Sequence, residues 1–189
     1  DEAVKCASAI AGPVVLKVVS PDILHKSDAG GVKLNLTGEA AVRKAYDEIL
    51  ANAKRYNPNA RIKGMLVSQQ ANPGTEVIIG AKRDPQFGPV VMFGLGGIFV
   101  ELFKDVVFRI APITKAEALD MIKSINGYKL LTGYRGQTAA DVDALAEAIV
   151  KVGKLMLECP EVAEVDLNPL IVYEKGLLGL DARIILRSE

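Results

Sequence analysis

Apolar residues along this chain recur at two spacings, and the changes of spacing mark out its elements. Ala3, Val4, Ala7 and Ile10 repeat at helical spacing and stop at Gly12-Pro13. Residues 14–19, Val-Val-Leu-Lys-Val-Val, form a β-branched run of strand length. After a polar stretch over residues 20–31, residues 32–36 alternate as a second strand. Ala41, Val42, Ala45, Tyr46, Ile49, Leu50 and Ala53 then fall on one face of a helix that ends before Asn57-Pro58. Residues 62–68 predict a third strand.

Asn72-Pro73-Gly74 is a strong turn signal and divides the pattern. Beyond it, residues 76–82 and 89–93 predict a strand pair joined across Asp84-Pro85, and residues 106–111 another strand after the break at Gly94-Leu95-Gly96-Gly97. Thr114 followed by Glu117 spells a capping box, opening a short helix that ends near Asn126-Gly127. Residues 138–157 predict the longest helix, with Val142, Leu145, Ile149, Val152 and Met156 inward. Residues 170–173 and 177–185 close the chain as a hairpin turned at Glu174-Lys175-Gly176. The expectation is an α+β protein of two α+β lobes around a cleft, residues 1–72 and 73–189, without internal repeats.

Composition narrows the function classes. Of the 189 residues, 50% are hydrophobic and 24% charged, and 23 basic residues balance 23 acidic ones. That balance gives no broad electrostatic footprint for nucleic acid or an anionic membrane. No apolar run reaches the length of a bilayer-spanning helix and no signal peptide opens the chain, so a soluble, cytoplasmic protein is expected. Cys6 and Cys159 form no ligand pair and are expected to be reduced, buried small residues.

His25 is the sole histidine, so any imidazole chemistry in this chain belongs to it. Lys26 offers charge to phosphate beside it, and Gly30-Gly31 let backbone N–H groups approach an anion. A neutral imidazole can attack a phosphoryl group; an exposed loop histidine can equally be a spectator. The turn at Gly94, Gly96 and Gly97 matches neither the P-loop nor the dinucleotide spelling, and reads as a tight turn or as backbone approaching a ligand. Glu101, Lys104 and Asp105 read as a solvated face. Glu164, Asp166 and Asn168 alternate along an extended segment set among apolar runs, which predicts burial and hence a reason for the carboxylates. Asp181 lies on the returning strand, able to come near Asn168, and an amide oxygen with a carboxylate suits Mg²⁺. Lys17, inside an apolar strand, faces outward or touches phosphate.

Together these segments resemble one family. Residues 13–36 (PVVLKVVSPDILHKSDAGGVKLNL), 76–113 (EVIIGAKRDPQFGPVVMFGLGGIFVELFKDVVFRIAPI), 130–136 (LLTGYRG) and 164–170 (EVDLNPL) are similar to the ATP-grasp domain of NDP-forming acyl-CoA synthetases. These are the ADP-forming acetyl-CoA synthetases and their relatives, related to the β subunit of succinyl-CoA synthetase. The resemblance implies the ATP-grasp fold, ATP/ADP and Mg²⁺ as cofactors, and a phosphohistidine loop over residues 20–31. It implies that His25 is transiently phosphorylated, that Asp166 orients it, and that Asn168 and Asp181 hold magnesium. It further implies that Lys17 contacts the nucleotide phosphates, that Glu76 lines the nucleotide cleft, and that Gly94, Gly96 and Gly97 form a turn at its floor. The implied partner is a CoA-binding, α-like domain or subunit, in cis or in trans, where most of the acyl-CoA and carboxylate substrate binds.

Ser68-Gln69-Gln70 stands where family members often carry a Glu in the hinge strand, which leaves the choice between ATP and GTP open. The family's domain usually begins some tens of residues earlier, so the first lobe is expected to be N-terminally truncated. Two other readings of the same fold stand beside the synthetase. One is a regulatory module attached to a protein acetyltransferase; the other is a carboxylate ligase with an acyl-phosphate intermediate, which needs no His25.

Overall fold

The structure, a computed structural model, describes residues 1–97, 105–133 and 138–187. Glu101, Lys104 and residues 134–136 of the sequence reading lie outside the described residues. The chain groups into two compact units, Asp1–Asn72 and Pro73–Glu189.

In the first unit, α1 (Glu2–Ser8) precedes β1 (Val14–Val19), β2 (Val32–Leu36), α2 (Glu39–Tyr56) and β3 (Gly64–Gln69). The sheet runs β2-β1-β3 with antiparallel pairing throughout. Val14, Leu16 and Val18 point to the helix side and bury against Val42, Ala45, Ile49 and Ala53 of α2. That period-two burial leaves Lys17 half-buried on the sheet's other face, opposite Leu66 of β3 and Val32 of β2. Ile23 and Ala29, from the loop between β1 and β2, enter the same core.

The second unit is built on a larger antiparallel sheet. Its strands are β4 (Thr75–Asp84), β5 (Gly88–Leu95), β6 (Val106–Ile110), β7 (Val162–Val172), β8 (Leu177–Gly179) and β9 (Ala182–Leu186). The order is β6-β5-β4-β7-β8, and β9 also pairs with β7. Two helices, α3 (Lys115–Ser124) and α4 (Val142–Glu158), cover one face, and a 3₁₀ turn spans Asn126–Leu130. Val77, Ile79 and Ala81 alternate inward from β4, and Val91, Phe93 and Leu95 from β5, against Ala118, Met121 and Ile122 of α3 and Leu145, Ile149 and Met156 of α4. The capping box forms: Thr114 Oγ1 accepts from the Glu117 backbone N–H, and the Glu117 carboxylate accepts from the Thr114 N–H at 2.8 Å. Arg83 closes the far end of α4, donating to the carbonyls of Met156, Cys159 and Val162.

Several expectations need correction. β5 runs through Gly94 and Leu95, because Leu95 is buried and Gly94 still pairs with Ile78 and Val106. The helix expected to be the longest begins at Val142, four residues later than the composition indicates, because Asp141 Oδ1 accepts from the Ala144 N–H and sets the N-cap there; at 17 residues it is shorter than the 18 of α2. Asp141 Oδ2 also accepts from Gly176 N–H, tying that cap to the turn after β7; the Gly176 and Ala144 donors hold its carboxyl below the usual range. The returning strand of the last hairpin is two pieces, β8 and β9, parted at Leu180-Asp181. Cys6 is exposed and Cys159 half-buried, both free, so neither is the buried residue expected. Among the described residues, no helix is long and apolar enough to cross a membrane.

Candidate functional site

β4, β7 and β9 place polar residues on the sheet face turned away from α3 and α4. Antiparallel partners share a face, so the pairing rows locate them. Glu76 pairs with Ile171 at one end of β4, and Lys82 with Glu164 at the other. Between them, Asp166 sits opposite Gly80 of β4 and Arg183 of β9. Gly80 has no side chain to cover Asp166 from the β4 side. Asp166 and Glu164 are half-buried and Asn168 is exposed, and among the described residues no polar one is fully buried. The expected burial of this strand's acidic edge is met only in part: its apolar neighbours Val165 and Leu167 turn to the helices, while Glu164 and Asp166 are half-buried on the other face, where Ile78 and Ile171 are buried.

The glycine turn is fitted to Glu76. Gly96 N–H donates to the Glu76 carbonyl at 2.8 Å, and a Cβ on Gly96 would stand 3.0 Å from the Glu76 Cβ. Gly97 takes φ +61, and a Cβ there would meet Glu76 Oε2 at 3.4 Å. Gly94 lets β6 close on β5, since its Cβ would lie 2.7 Å from the Asp105 carbonyl and 2.8 Å from Val106 Cγ1. Both contacts are with the adjoining strand, so Gly94→Ala is expected to destabilise by about 1–3 kcal/mol, read as a lower urea midpoint at unchanged m. The Asp105 carboxylate secures the same end of the sheet, accepting from the N–H groups of Asn126 at 2.9 Å and Gly127 at 2.7 Å.

Asn168 and Asp181 meet through the backbone. Asn168 N–H donates to the Asp181 carbonyl at 3.2 Å, where β7 faces the break between β8 and β9. At that break Asp181 lies between β8 and β9, with its carbonyl against Asn168, a placement that the sequence anticipated only as proximity. Among the described residues no group of three His, Cys, Asp or Glu is disposed to hold a metal. An amide oxygen and one carboxylate still suit Mg²⁺, which binds through one or two carboxylates and takes its remaining oxygens from water and substrate phosphates.

His25 and Lys17 belong to the first unit. His25 is exposed, and its carbonyl accepts from Ala29 N–H at 3.3 Å. Ser27 and Lys26 carbonyls accept from Gly30 and Gly31 N–H groups at 2.9 and 2.8 Å, so both glycines serve the loop's own turn.

Two groups escaped the sequence reading. Arg183 pairs with Glu164 at 2.7 Å, one residue pair along from Asp166; its Nε is buried without a partner among the described residues. Period-two counting from Asp181 along the returning strand would have placed it on the Asp166 face. Asp22 accepts from Arg61, 39 residues away, a pairing with no local signature. The Arg61 guanidinium, followed by the Arg61 backbone N–H, holds the Asp22 carboxyl down to about 2. Because the folded value is depressed, this pair's contribution is present above the ordinary carboxylate range and is lost only as pH falls through about 2.

Comparison with known proteins places the chain in a family. The family described as an ATP-grasp domain matches residues 1–186. The chain is 53% identical over 186 residues to the acetate–CoA ligase (ADP-forming) I subunit β of Pyrococcus furiosus, covering 98% of this chain and 80% of that one. Against longer single-chain relatives it spans 25–27% of their length. It superposes with TM-score 0.93 on acetyl-coenzyme A synthetase 1 of Ca. Korarchaeum cryptofilum in complex with coenzyme A and Ca-AMPCP, at 57% identity over 98% of this chain and 81% of that chain. A second structure of that protein, with coenzyme A and Mg-AMPPCP and its phosphohistidine segment pointing towards the nucleotide binding site, gives TM-score 0.82 and 53% identity over 98% of this chain and 82% of that chain. The chain belongs to the ATP-grasp family, among the β-subunit domains of ADP-forming acetyl-CoA synthetases.

Proposed function

We propose that this chain is the nucleotide-binding part of an ADP-forming acyl-CoA synthetase, passing phosphate between His25 and ADP. The observation that carries the reading is the set of polar residues on the face of the second sheet turned from the helices. There Glu76 and its fitted glycine turn stand at one end, the Asn168–Asp181 pair lies at the β7 break, and Asp166 sits over Gly80. That is a phosphate-accepting, metal-holding surface with an acidic residue poised beside it, in a chain that shares half its residues with a β subunit of this enzyme class.

In the ATP-forming direction, an oxygen of the ADP β-phosphate forms a bond to the phosphorus carried on His25. The N–P bond breaks, and the imidazole nitrogen keeps its electron pair as a lone pair. In-line geometry and preorganised charge supply most of the acceleration for such a transfer. In the proposed transfer Asp166 would accept the other ring N–H of His25, fixing the tautomer and favouring the neutral nucleophile required in the reverse direction. Lys17 offsets charge on the nucleotide phosphates, Glu76 and the turn at Gly94, Gly96 and Gly97 line the nucleotide, and Asn168 and Asp181 hold Mg²⁺. The metal's contribution is to draw charge from the phosphoryl oxygens. Residues 1–72 and 73–189 act as the two ATP-grasp lobes, the first carrying the phosphohistidine loop. The reaction uses nucleotide and CoA pools, which makes the cytoplasm the proposed setting.

The complete reaction also needs a CoA-binding part that makes and consumes the acyl phosphate. A coupled assay with acetate, CoA and ATP tests this division of labour. The chain alone is expected to form no acyl-CoA, and addition of the CoA-binding partner to restore it. Acyl-CoA formation by the chain alone at the rate of the complete enzyme contradicts the reading.

A further inference from the structure

His25 is exposed, yet the chain on either side of it is held. Upstream, both carboxylate oxygens of Asp22 are engaged by Arg61. Oδ1 accepts from Nη2 at 2.8 Å, while Oδ2 accepts from Nε at 3.0 Å and from the Arg61 backbone N–H at 2.8 Å. The next residue, Ile23, is 1% exposed and packs into the core between β1 and α2. Downstream, Ala29 enters the same core, Asn52 Nδ2 donates to the Gly30 carbonyl at 3.2 Å, and the Gly31 carbonyl accepts from Val18 of β1 at 2.8 Å. Between these anchors, Leu24, His25, Ser27 and Asp28 are all exposed, and Leu24 gains nothing from burial at 60% exposure.

A group that carries phosphate between two sites needs one part of its segment to move and another to stay. Withdrawing a fully buried isoleucine costs more than opening a turn closed by single backbone hydrogen bonds at the surface. The two halves of this loop therefore differ in what holds them. We propose that Asp22, Arg61 and Ile23 form a fixed pivot that stays seated while residues 24–28 swing, which makes Arg61 a positioning residue for His25. This inference rests on the reading of His25 as the phosphate carrier. Arg61 is 76% exposed, so the pair adds little to global stability. Its effect is directional: a planar fork meeting two carboxylate oxygens, with a backbone N–H as a third point, fixes the direction in which the chain leaves Asp22.

The test uses the complete enzyme, this chain with its CoA-binding partner, as wild type, Arg61→Gln and Arg61→Lys. Two quantities are read: single-turnover formation of phosphohistidine from Mg-ATP, and hydrogen exchange of the amides over residues 22–31. Arg61→Gln is expected to slow phosphohistidine formation about tenfold, with Mg-ATP affinity within about twofold and an unchanged melting temperature. Arg61→Lys, which keeps the charge and loses the fork, should fall between. In the wild type, the Ile23 amide should exchange more slowly than those of His25 and Ser27, and this difference should shrink in Arg61→Gln. Phosphohistidine formation at the wild-type rate in Arg61→Gln overturns the pivot, as does a loss that only tracks lowered global stability. Absence of phosphohistidine in the wild type defeats the carrier reading instead. In that case the exchange pattern still decides the pivot, which is refuted if Ile23 exchanges as fast as His25.

Discussion

His25→Asn is expected to abolish acyl-CoA turnover in the complete enzyme while leaving ADP affinity within a few-fold. Asparagine has the polarity to remain in an exposed loop, so the fold is not at risk: among the described residues, His25 contributes only its backbone carbonyl to the loop, through Ala29 N–H. What is lost is the nucleophile. A missing covalent carrier removes a reaction path rather than one interaction within it, and losses beyond about a thousandfold are the norm when a nucleophile is deleted. Steady-state turnover beside calorimetric ADP binding separates the two effects. Turnover that persists at the wild-type level would favour the carboxylate-ligase chemistry, which runs without a phosphohistidine.

Asp181→Ala is expected to remove most of the Mg²⁺ dependence of nucleotide binding. Asp181 lies at the break between β8 and β9, where its backbone carbonyl accepts from Asn168 N–H and its Oδ1 from Ala182 N–H, and it belongs to neither core cluster, so its removal leaves core packing intact. Replacing one of two protein oxygens in an Mg²⁺ site leaves the metal to the phosphates and water, weakening metal-dependent affinity by about tenfold to a hundredfold. Calorimetry with ADP, with and without Mg²⁺, reads this directly. If the variant keeps the same enhancement by Mg²⁺ as the wild type, Asp181 is not a ligand.

The strands and helices were largely legible because their apolar periods are clean and each period has one geometric cause. Thr114 and Glu117 announced α3 through a short-range pattern that the hydrogen bonds reproduce. The start of α4 was less legible. Residues 138–140 have ordinary helical composition, and only the Asp141 side chain, reaching Ala144 and Gly176 together, fixes the boundary. The break at Leu180-Asp181 left no mark either, since both flanking runs read as one strand. Burial of Asp166 is only partial because its apolar neighbours in sequence face the opposite side of the strand. The residues proposed for the site come from the family resemblance. The Asp22–Arg61 fork was not legible, because contacts 39 residues apart depend on how the loop before β3 passes the loop after β1.

Phosphate on His25 tests the central claim most directly. The complete enzyme, incubated with Mg-ATP and quenched in base, is digested and its peptides analysed by mass spectrometry. The account predicts one phosphorylated peptide containing His25, stable in base and lost in acid, discharged by added ADP and absent from His25→Asn. An enzyme that turns over normally while His25 carries no phosphate at any time in the cycle would contradict it.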